Sequence, residues 1–175
     1  MNALATTLPG RAQARPSFAE IAEETLDDVH RYLLMLTGDA SLAEELTGET
    51  FEKALKRWKR YDPRRASART WLCQIARTTA LDHFRAEARR RRREERYALE
   101  QPSEATLGGG FSPELESALR SLTAAEREVL ALRIVLELDA EAAARVLGIG
   151  RSACSMRLAR ALAKLEERME SHALA

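Results

Sequence analysis

Two cysteines, three histidines and an aromatic content of 5 % in 175 residues leave little from which to build a metal centre, a disulfide framework or a nucleophilic site. Cys73 and Cys154 stand far apart, and neither belongs to a CxxC pair or a Cys/His cluster. A zinc site is therefore not expected, and both read as buried free thiols. His30, His83 and His172 are scattered and form no site. No metal and no cofactor is expected. Long apolar runs are also missing: none approaches the roughly 18–20 residues that a membrane span needs, so no direct membrane contact is expected. Residues 1–17 lack the apolar centre of a signal peptide and read as a disordered tail, and the protein reads as cytoplasmic.

Strand signals are absent too. No stretch alternates polar and apolar residues cleanly, whereas helical spacing recurs along nearly the whole chain. Val29, Tyr32, Leu33 and Leu36 follow it, as do Phe51, Ala54, Leu55 and Trp58. Leu72, Ile75, Ala76, Thr79, Ala80 and His83 do so again. The fold class is all-α. Helix starts are marked by capping-box patterns at Ser41–Glu44 and Thr123–Glu126, and by Ser112 before Pro113. Gly38-Asp39 breaks the first long helix, and Tyr61-Asp62-Pro63 ends the second.

The net charge is only +1, but the charges are segregated. Residues 18–52 hold ten acids against one Arg, and residues 53–96 hold sixteen bases against five acids. Two charged faces with different partners are implied, the plainer reading being mixed solvated helix surface. Residues 97–111 contain Pro102, Ser103 and Gly108-Gly109-Gly110 and read as a linker. At about 3.3 Å per extended residue it could span on the order of 50 Å. The expected division is a tail at 1–17, a helical domain at 18–96, the linker at 97–111, a smaller domain at 112–170 and a tail at 171–175. Small helical domains bury modest cores and gain from a partner.

The smaller domain has the spacing of a helix-turn-helix. Asp139 can cap a helix running to Leu147, Gly148 suits the left-handed residue that ends it, and a new helix starts near Arg151. Ala144, Gly148 and Cys154 then occupy the small, turn and inward-facing apolar positions. The start of the second helix would enter a major groove, where Arg151, Ser152, Ser155, Met156, Arg157 and Arg160 reach bases or phosphates. An ordinary helical hairpin with surface Arg is the alternative. Leu115, Leu119, Leu122, Val129, Leu130, Leu132, Ile134 and Leu158 read as core.

In the larger domain Thr70, Gln74, Arg77, Thr78, Leu81 and Arg85 share a helix face that the Arg89–Arg93 run extends. Such a face tracks phosphates, with affinity that falls steeply in salt. Upstream lie Trp58, Tyr61 and Trp71 among Lys59, Arg60, Arg64, Arg65 and Arg69. Rings among cations suit an unstacked single strand. Core packing is the competing reading for the two Trp residues, whereas Tyr61, beside a turn, is expected to be exposed. On the acidic helix Glu45, Glu49 and Glu52 lie on one side and could dock on a basic partner. No nucleophile or metal-ligand partner accompanies these carboxylates, so no catalytic residue is assigned and the chain is not expected to be an enzyme.

Three segments in order resemble the extracytoplasmic-function (ECF) sigma factors of bacterial RNA polymerase. The first is Gly38-Asp39 through Ala43-Glu44-Glu45-Leu46 and Glu49-Thr50-Phe51, which is similar to the family's polymerase-docking helix. The second, Trp71-Leu72-Cys73-Gln74-Ile75-Ala76-Arg77 with Ala80-Leu81-Asp82 and Arg85, is similar to the helix that melts and reads the −10 element. The third, Leu122-Thr123-Ala124-Ala125-Glu126-Arg127-Glu128-Val129-Leu130-Ala131-Leu132-Arg133 with Leu147-Gly148-Ile149 and Arg157-Leu158-Ala159-Arg160-Ala161, resembles the −35-reading domain.

The resemblance implies two helical domains, sigma domains 2 and 4, joined by a linker. It implies core polymerase, promoter DNA (single-stranded at −10, duplex at −35) and an anti-sigma factor as partners. By position Glu45, Gly48, Glu49 and Glu52 would face polymerase. The loop Tyr61–Ala68, with Tyr61, Arg64, Arg65 and Ser67, would capture a flipped −10 base, and Arg69, Trp71 and Gln74 would join the −10 contacts. Arg77, Thr78 and Arg85 would follow the non-template strand. Gly48 stands where the family usually has Gln, Glu45 where it has Asp and Thr78 where it has Asn. Ala142-Ala143-Ala144 thins the usual Glu-Ile-Ala, Gly150 replaces a Ser or Thr cap and Ser155 replaces a common Lys. A weaker or altered −35 reading follows from these departures. A stand-alone repressor or activator, an enzyme acting on nucleic acid, and a sigma-like protein that binds polymerase without initiating are the competing readings.

Overall fold

The computed structural model describes residues 16–94 and 112–173, and the described residues contain helices and turns but no strand. The expected linker lies outside the described residues, as does all but the last part of the N-terminal tail.

Helix α1 (Phe18–Thr37) starts with a capping box that falls at the end of the expected tail. Ser17 Oγ accepts from the Glu20 amide (3.2 Å), and the Glu20 carboxylate accepts from the Ser17 amide (2.7 Å). Gly38 ends the helix at φ 68°, with its amide donating to the Leu34 carbonyl. Helix α2 (Ala40–Arg57) is capped by Asp39, whose carboxylate accepts from the Leu42 amide at 3.0 Å. The expected Ser41–Glu44 box is therefore not formed. The chain turns helical one residue before Ser41, and a charged cap also complements the helix dipole. A short 3-10 turn (Trp58–Arg60) and a loop lead to α3 (Ala68–Glu94), which is about 40 Å long.

In the second half α4 (Pro113–Ser121) has Ser112 as its cap, and α5 (Ala124–Leu130) has the expected Thr123–Glu126 capping box. A π-turn (Ala131–Val135) follows, closed by the Leu136 amide on the Ala131 carbonyl at 2.9 Å. Helix α6 (Ala140–Leu147) begins at Asp139, ends at Gly148 with φ 67°, and is succeeded by α7 (Arg151–Ala173). All the boundaries expected for the helix-turn-helix are present. Nothing lies within 4 Å of a Cβ built on Gly148, so substitution there strains only the backbone. Gly148→Ala should lower stability by about 1–2 kcal/mol, read as a shift in the denaturant midpoint at unchanged slope.

Buried side chains from both halves join in one cluster that includes Val29, Tyr32, Leu33, Leu46 and Leu72 with Val129, Leu132, Leu136 and Leu147. Ile134, expected in the core, is instead 52 % exposed, and Leu55, one of the helically spaced apolar residues of α2, is 57 % exposed. The inward positions of α2 are Ala43, Leu46, Thr47, Thr50 and Ala54, and Leu55 lies about 100° round from the last of them. Ile134 sits in the π-turn, where the extra residue per turn displaces the helical register. Both cysteines are free and fully buried, as expected. Burial pushes the Cys73 thiol up to about 12, which opposes thiolate chemistry.

Candidate nucleic-acid interface

The helix-turn-helix surface is built by α5, α6 and α7. Ala144, Leu147, Cys154 and Ala161 are buried and hold α7 against its neighbours. That packing turns Arg151, Ser152, Ser155, Met156 and Arg160 outward, with Arg157 half-buried beside them. A shallow recess between the start of α5 and the outer face of α7 is lined by Thr123, Ala125, Glu126, Met156, Arg157 and Arg160. Gly150 gives α7 no side-chain cap, and its carbonyl accepts the first helical bond, from the Cys154 amide.

Glu126 ties this surface together. Its carboxylate accepts from Lys164 Nζ at 2.6 Å, from the Thr123 amide at 2.9 Å and from Thr123 Oγ1 at 2.9 Å. The Lys164 hydrogen bond first, then the Thr123 amide, lower its pKa from 4.5 to about 2. A depressed acid contributes stability above its unfolded pKa and loses it as pH falls through the folded value. The domain should therefore lose about 1–2 kcal/mol between pH 4.5 and pH 2, after allowance for solvent around the half-exposed Lys164. Glu126→Gln should flatten that part of the stability–pH curve in thermal melts.

The −10 residues named above fall into three groups. Arg64, Arg65, Thr78 and Arg85 are exposed. Arg64 pairs with Asp62 (3.2 Å), Arg85 pairs with Asp82 (3.1 Å), and Thr78 Oγ1 donates to the Gln74 carbonyl (2.9 Å). A second group forms the frame of the loop. Tyr61 is buried at 7 % exposure rather than exposed. It stacks on Trp58 at 5.0 Å, packs against Trp71 at 5.1 Å and donates its hydroxyl to the Ala66 carbonyl at 3.1 Å. Trp58 is joined by Phe18 from α1, so both Trp residues are half-buried members of an aromatic cluster. Ser67 caps α3 by accepting from the Thr70 amide, and Thr70 itself is buried at 3 % and off the outer face. Arg69 pairs with Asp28 of α1 at 2.5 Å.

The third group reaches the other half of the chain. Gln74 Nε2 donates to the Arg145 carbonyl at 3.2 Å, and Arg77 Nε donates to Glu128 Oε1 at 2.7 Å. Glu128 Oε1 also accepts from the Tyr32 hydroxyl at 2.9 Å, and Arg145 donates to the Arg65 carbonyl. Burial first, then the Glu128 carboxylate, hold the Tyr32 phenol well above its usual pKa, so it is a neutral donor. These cross-chain bonds escaped sequence reasoning. The available signal was Glu128 itself, an acid at the head of the apolar run Val129-Leu130-Ala131-Leu132, and it carries no address for its partner.

Glu45, Gly48, Glu49 and Glu52 are all exposed along α2. Glu49 pairs with Lys53 at 2.7 Å and Glu52 with Lys56 at 2.5 Å. Among the described residues there is no group of three His, Cys, Asp or Glu placed to hold a metal ion, and no helix is long and apolar enough to cross a membrane.

Residues 21–90 match the family model for Sigma-70 region 2, and residues 112–165 match that for Sigma-70 region 4. The ECF RNA polymerase sigma factor BldN of Streptomyces coelicolor is 30 % identical over 174 residues, covering 89 % of this chain and 63 % of its own length. A probable RNA polymerase sigma-C factor of Mycobacterium bovis is 35 % identical over 158 residues, covering 87 % of this chain and 81 % of its own. Among solved structures, the sigma factor RpoE of Bartonella quintana, crystallised with the anti-sigma factor NepR, superposes with a TM-score of 0.74 at 21 % identity, covering 87 % of this chain and 96 % of its own. Two family models in the order of the two helical halves, with a 35 % identical relative matched over most of its length, place this chain in the extracytoplasmic-function family of RNA polymerase sigma factors.

Proposed function

We propose that this sigma factor directs core RNA polymerase to promoters through two DNA-reading surfaces, acting in the cytoplasm as a non-catalytic subunit. The observation that carries the reading is the separation of two basic surfaces on two regions: the exposed start of α7, and the loop and outer face of α3. Arg151, Ser152, Ser155, Met156, Arg157 and Arg160 read the −35 duplex from the major groove. Arg64 and Arg65 in the loop, with Thr78 and Arg85 on α3, meet the −10 strand. Tyr61, Trp58 and Trp71 shape that loop from beneath. A flipped base costs a few kcal/mol of unstacking, offset by such contacts. Glu45, Glu49 and Glu52, with Gly48 between them, give α2 an acidic face for polymerase. An anti-sigma factor is the proposed regulator, as RpoE of Bartonella quintana was crystallised with one. The residue boundaries 18–96 and 112–170 are proposed for the two domains, with 97–111 as the linker.

Run-off transcription from a promoter library, with core polymerase plus or minus this protein, tests the reading. Protein-dependent transcripts whose promoters lose activity when the −35 element is scrambled are expected. Binding to core without transcripts would oppose it, and unchanged output from the scrambled promoter would remove the role of α7.

A further inference from the structure

The centre of the outward face of α7 is apolar, although its flanks are basic. Cys154 and Ala161 are fully buried and fix the inward side of the helix. At about 100° per residue, Met156 lies about 160° from Cys154 and about 140° from Ala161 round the helix. It therefore points away from the core, as does Ser152 one turn before it. Arg151 and Arg160 stand about half a turn apart, to either side of the Ser152–Met156 line. Met156 is 57 % exposed, and among the described residues from Arg151 to Arg160 it is the one exposed large apolar side chain. Ala153 of α7 and Ala125 of α5 line the adjoining recess with it and give that recess an apolar wall.

A side chain at the centre of that face enters the major groove first and meets base edges rather than phosphates. Met brings no hydrogen-bond donor and only a weak acceptor, so it has no means of reading a base by hydrogen bonds. The major-groove edges of the four base pairs offer one apolar group, the 5-methyl group of thymine. An unbranched, polarizable thioether adapts its shape to such a group. We propose that Met156 specifies a thymine in the −35 element by packing on its 5-methyl group, with Ala153 beside it. The flanking arginines do different work: each carries donors for a base edge or a phosphate, and neither senses the methyl group. Burial of one methyl group corresponds to about fourfold in affinity. This assignment rests on the −35 reading of α7 and adds to it the base that the face selects.

The test uses the full chain in holoenzyme and a duplex promoter recovered from the library. Each −35 thymine, on either strand, is replaced in turn by uracil, which lacks only the 5-methyl group. At one position the exchange should weaken binding about fourfold. That loss should vanish in Met156→Ala, which binds thymine and uracil alike, and persist in Met156→Leu, which still presents methyl groups. Cytosine at the same position should bind more weakly than thymine, and 5-methylcytosine should recover part of the difference. Met156 is exposed, so helical content should be the same in all three proteins. A −35 element that matters when scrambled but shows no uracil effect overturns the thymine assignment and leaves the −35 reading of α7 standing. A uracil effect that survives in Met156→Ala overturns it as well, by giving the methyl contact to another residue. Unchanged binding to the scrambled element removes the −35 reading and the assignment with it.

Discussion

Leu72→Ala should lower the thermal midpoint of this protein by roughly 5–20 °C. Leu72 is wholly inaccessible on α3, among Val29, Leu33, Leu46 and Ala76 of the buried cluster. Removing three carbon atoms there forfeits their burial and leaves a cavity that helices fixed at both ends cannot close, at a cost of about 2–5 kcal/mol. For a chain of this size each kcal/mol moves the midpoint by about 2–4 °C. A total stability of about 5–15 kcal/mol makes that loss a large share. Because the cluster runs from Ile21 to Ala161 without a break between the halves, the melt should stay a single transition shifted downwards. Differential scanning calorimetry decides both points. A shift under about 2 °C would mean that α3 relaxes into the cavity, and a second transition would mean that the halves melt separately. Transcription by the variant should survive at low temperature and fail near the new midpoint, since none of the atoms assigned to DNA is removed.

Helices and caps could be read from the residues wherever the cause is local. Asp139 marks a boundary through its side-chain cap and Gly148 through its left-handed backbone, and the helix-turn-helix, with α7 starting at Arg151, lies where they place it. Thr123 and Glu126 satisfy each other across one turn. Ser41 was misleading because two candidate caps stand two residues apart, and the competition is decided by where the Gly38 turn delivers the chain. Tyr61 was misread for another reason. Its neighbours in sequence are a turn and a run of bases, but its neighbours in space are Trp58 and Trp71. Burial there is set by how α2 and α3 converge, which no local pattern encodes. The same holds for Arg69 with Asp28 and for Arg77 with Glu128, pairs separated by 41 and 51 positions. A basic residue in a basic run looks identical whether it awaits a phosphate or already holds a carboxylate. The residues expected at the start of α7 do lie outward, apart from the half-buried Arg157, whereas the −10 set divides into exposed, framing and cross-chain members.

The α7 surface carries the largest functional effect expected from exposed residues. Arg151 and Arg160 are both exposed, nine residues and so about 13 Å apart along the helix and about half a turn apart around it. Arg151, at the first turn, is placed for a base edge in the major groove; Arg160, further from the tip, is placed for a phosphate. The two should fail differently. Arg151→Ala should cost about 1–3 kcal/mol on a promoter recovered from the library and much less on a scrambled −35 duplex, narrowing the gap between them. Arg160→Ala should weaken both duplexes alike and reduce the steepness of the log-affinity against log-salt plot by about 0.9. Neither side chain is buried, so helical content and melting should be close to those of the native chain. With holoenzyme the double variant should lose about 30- to 1,000-fold in promoter affinity, the two losses adding because the sites share no partner. Gly150 gives the prediction its sharpest edge. A helix start without a side-chain cap leaves amide groups open to a phosphate, so Gly150→Ser should stabilise the free protein while leaving the Arg151 discrimination intact. Equal losses on specific and scrambled duplexes for Arg151→Ala would assign that residue to the backbone and move base reading to Ser152, Ser155 and Met156.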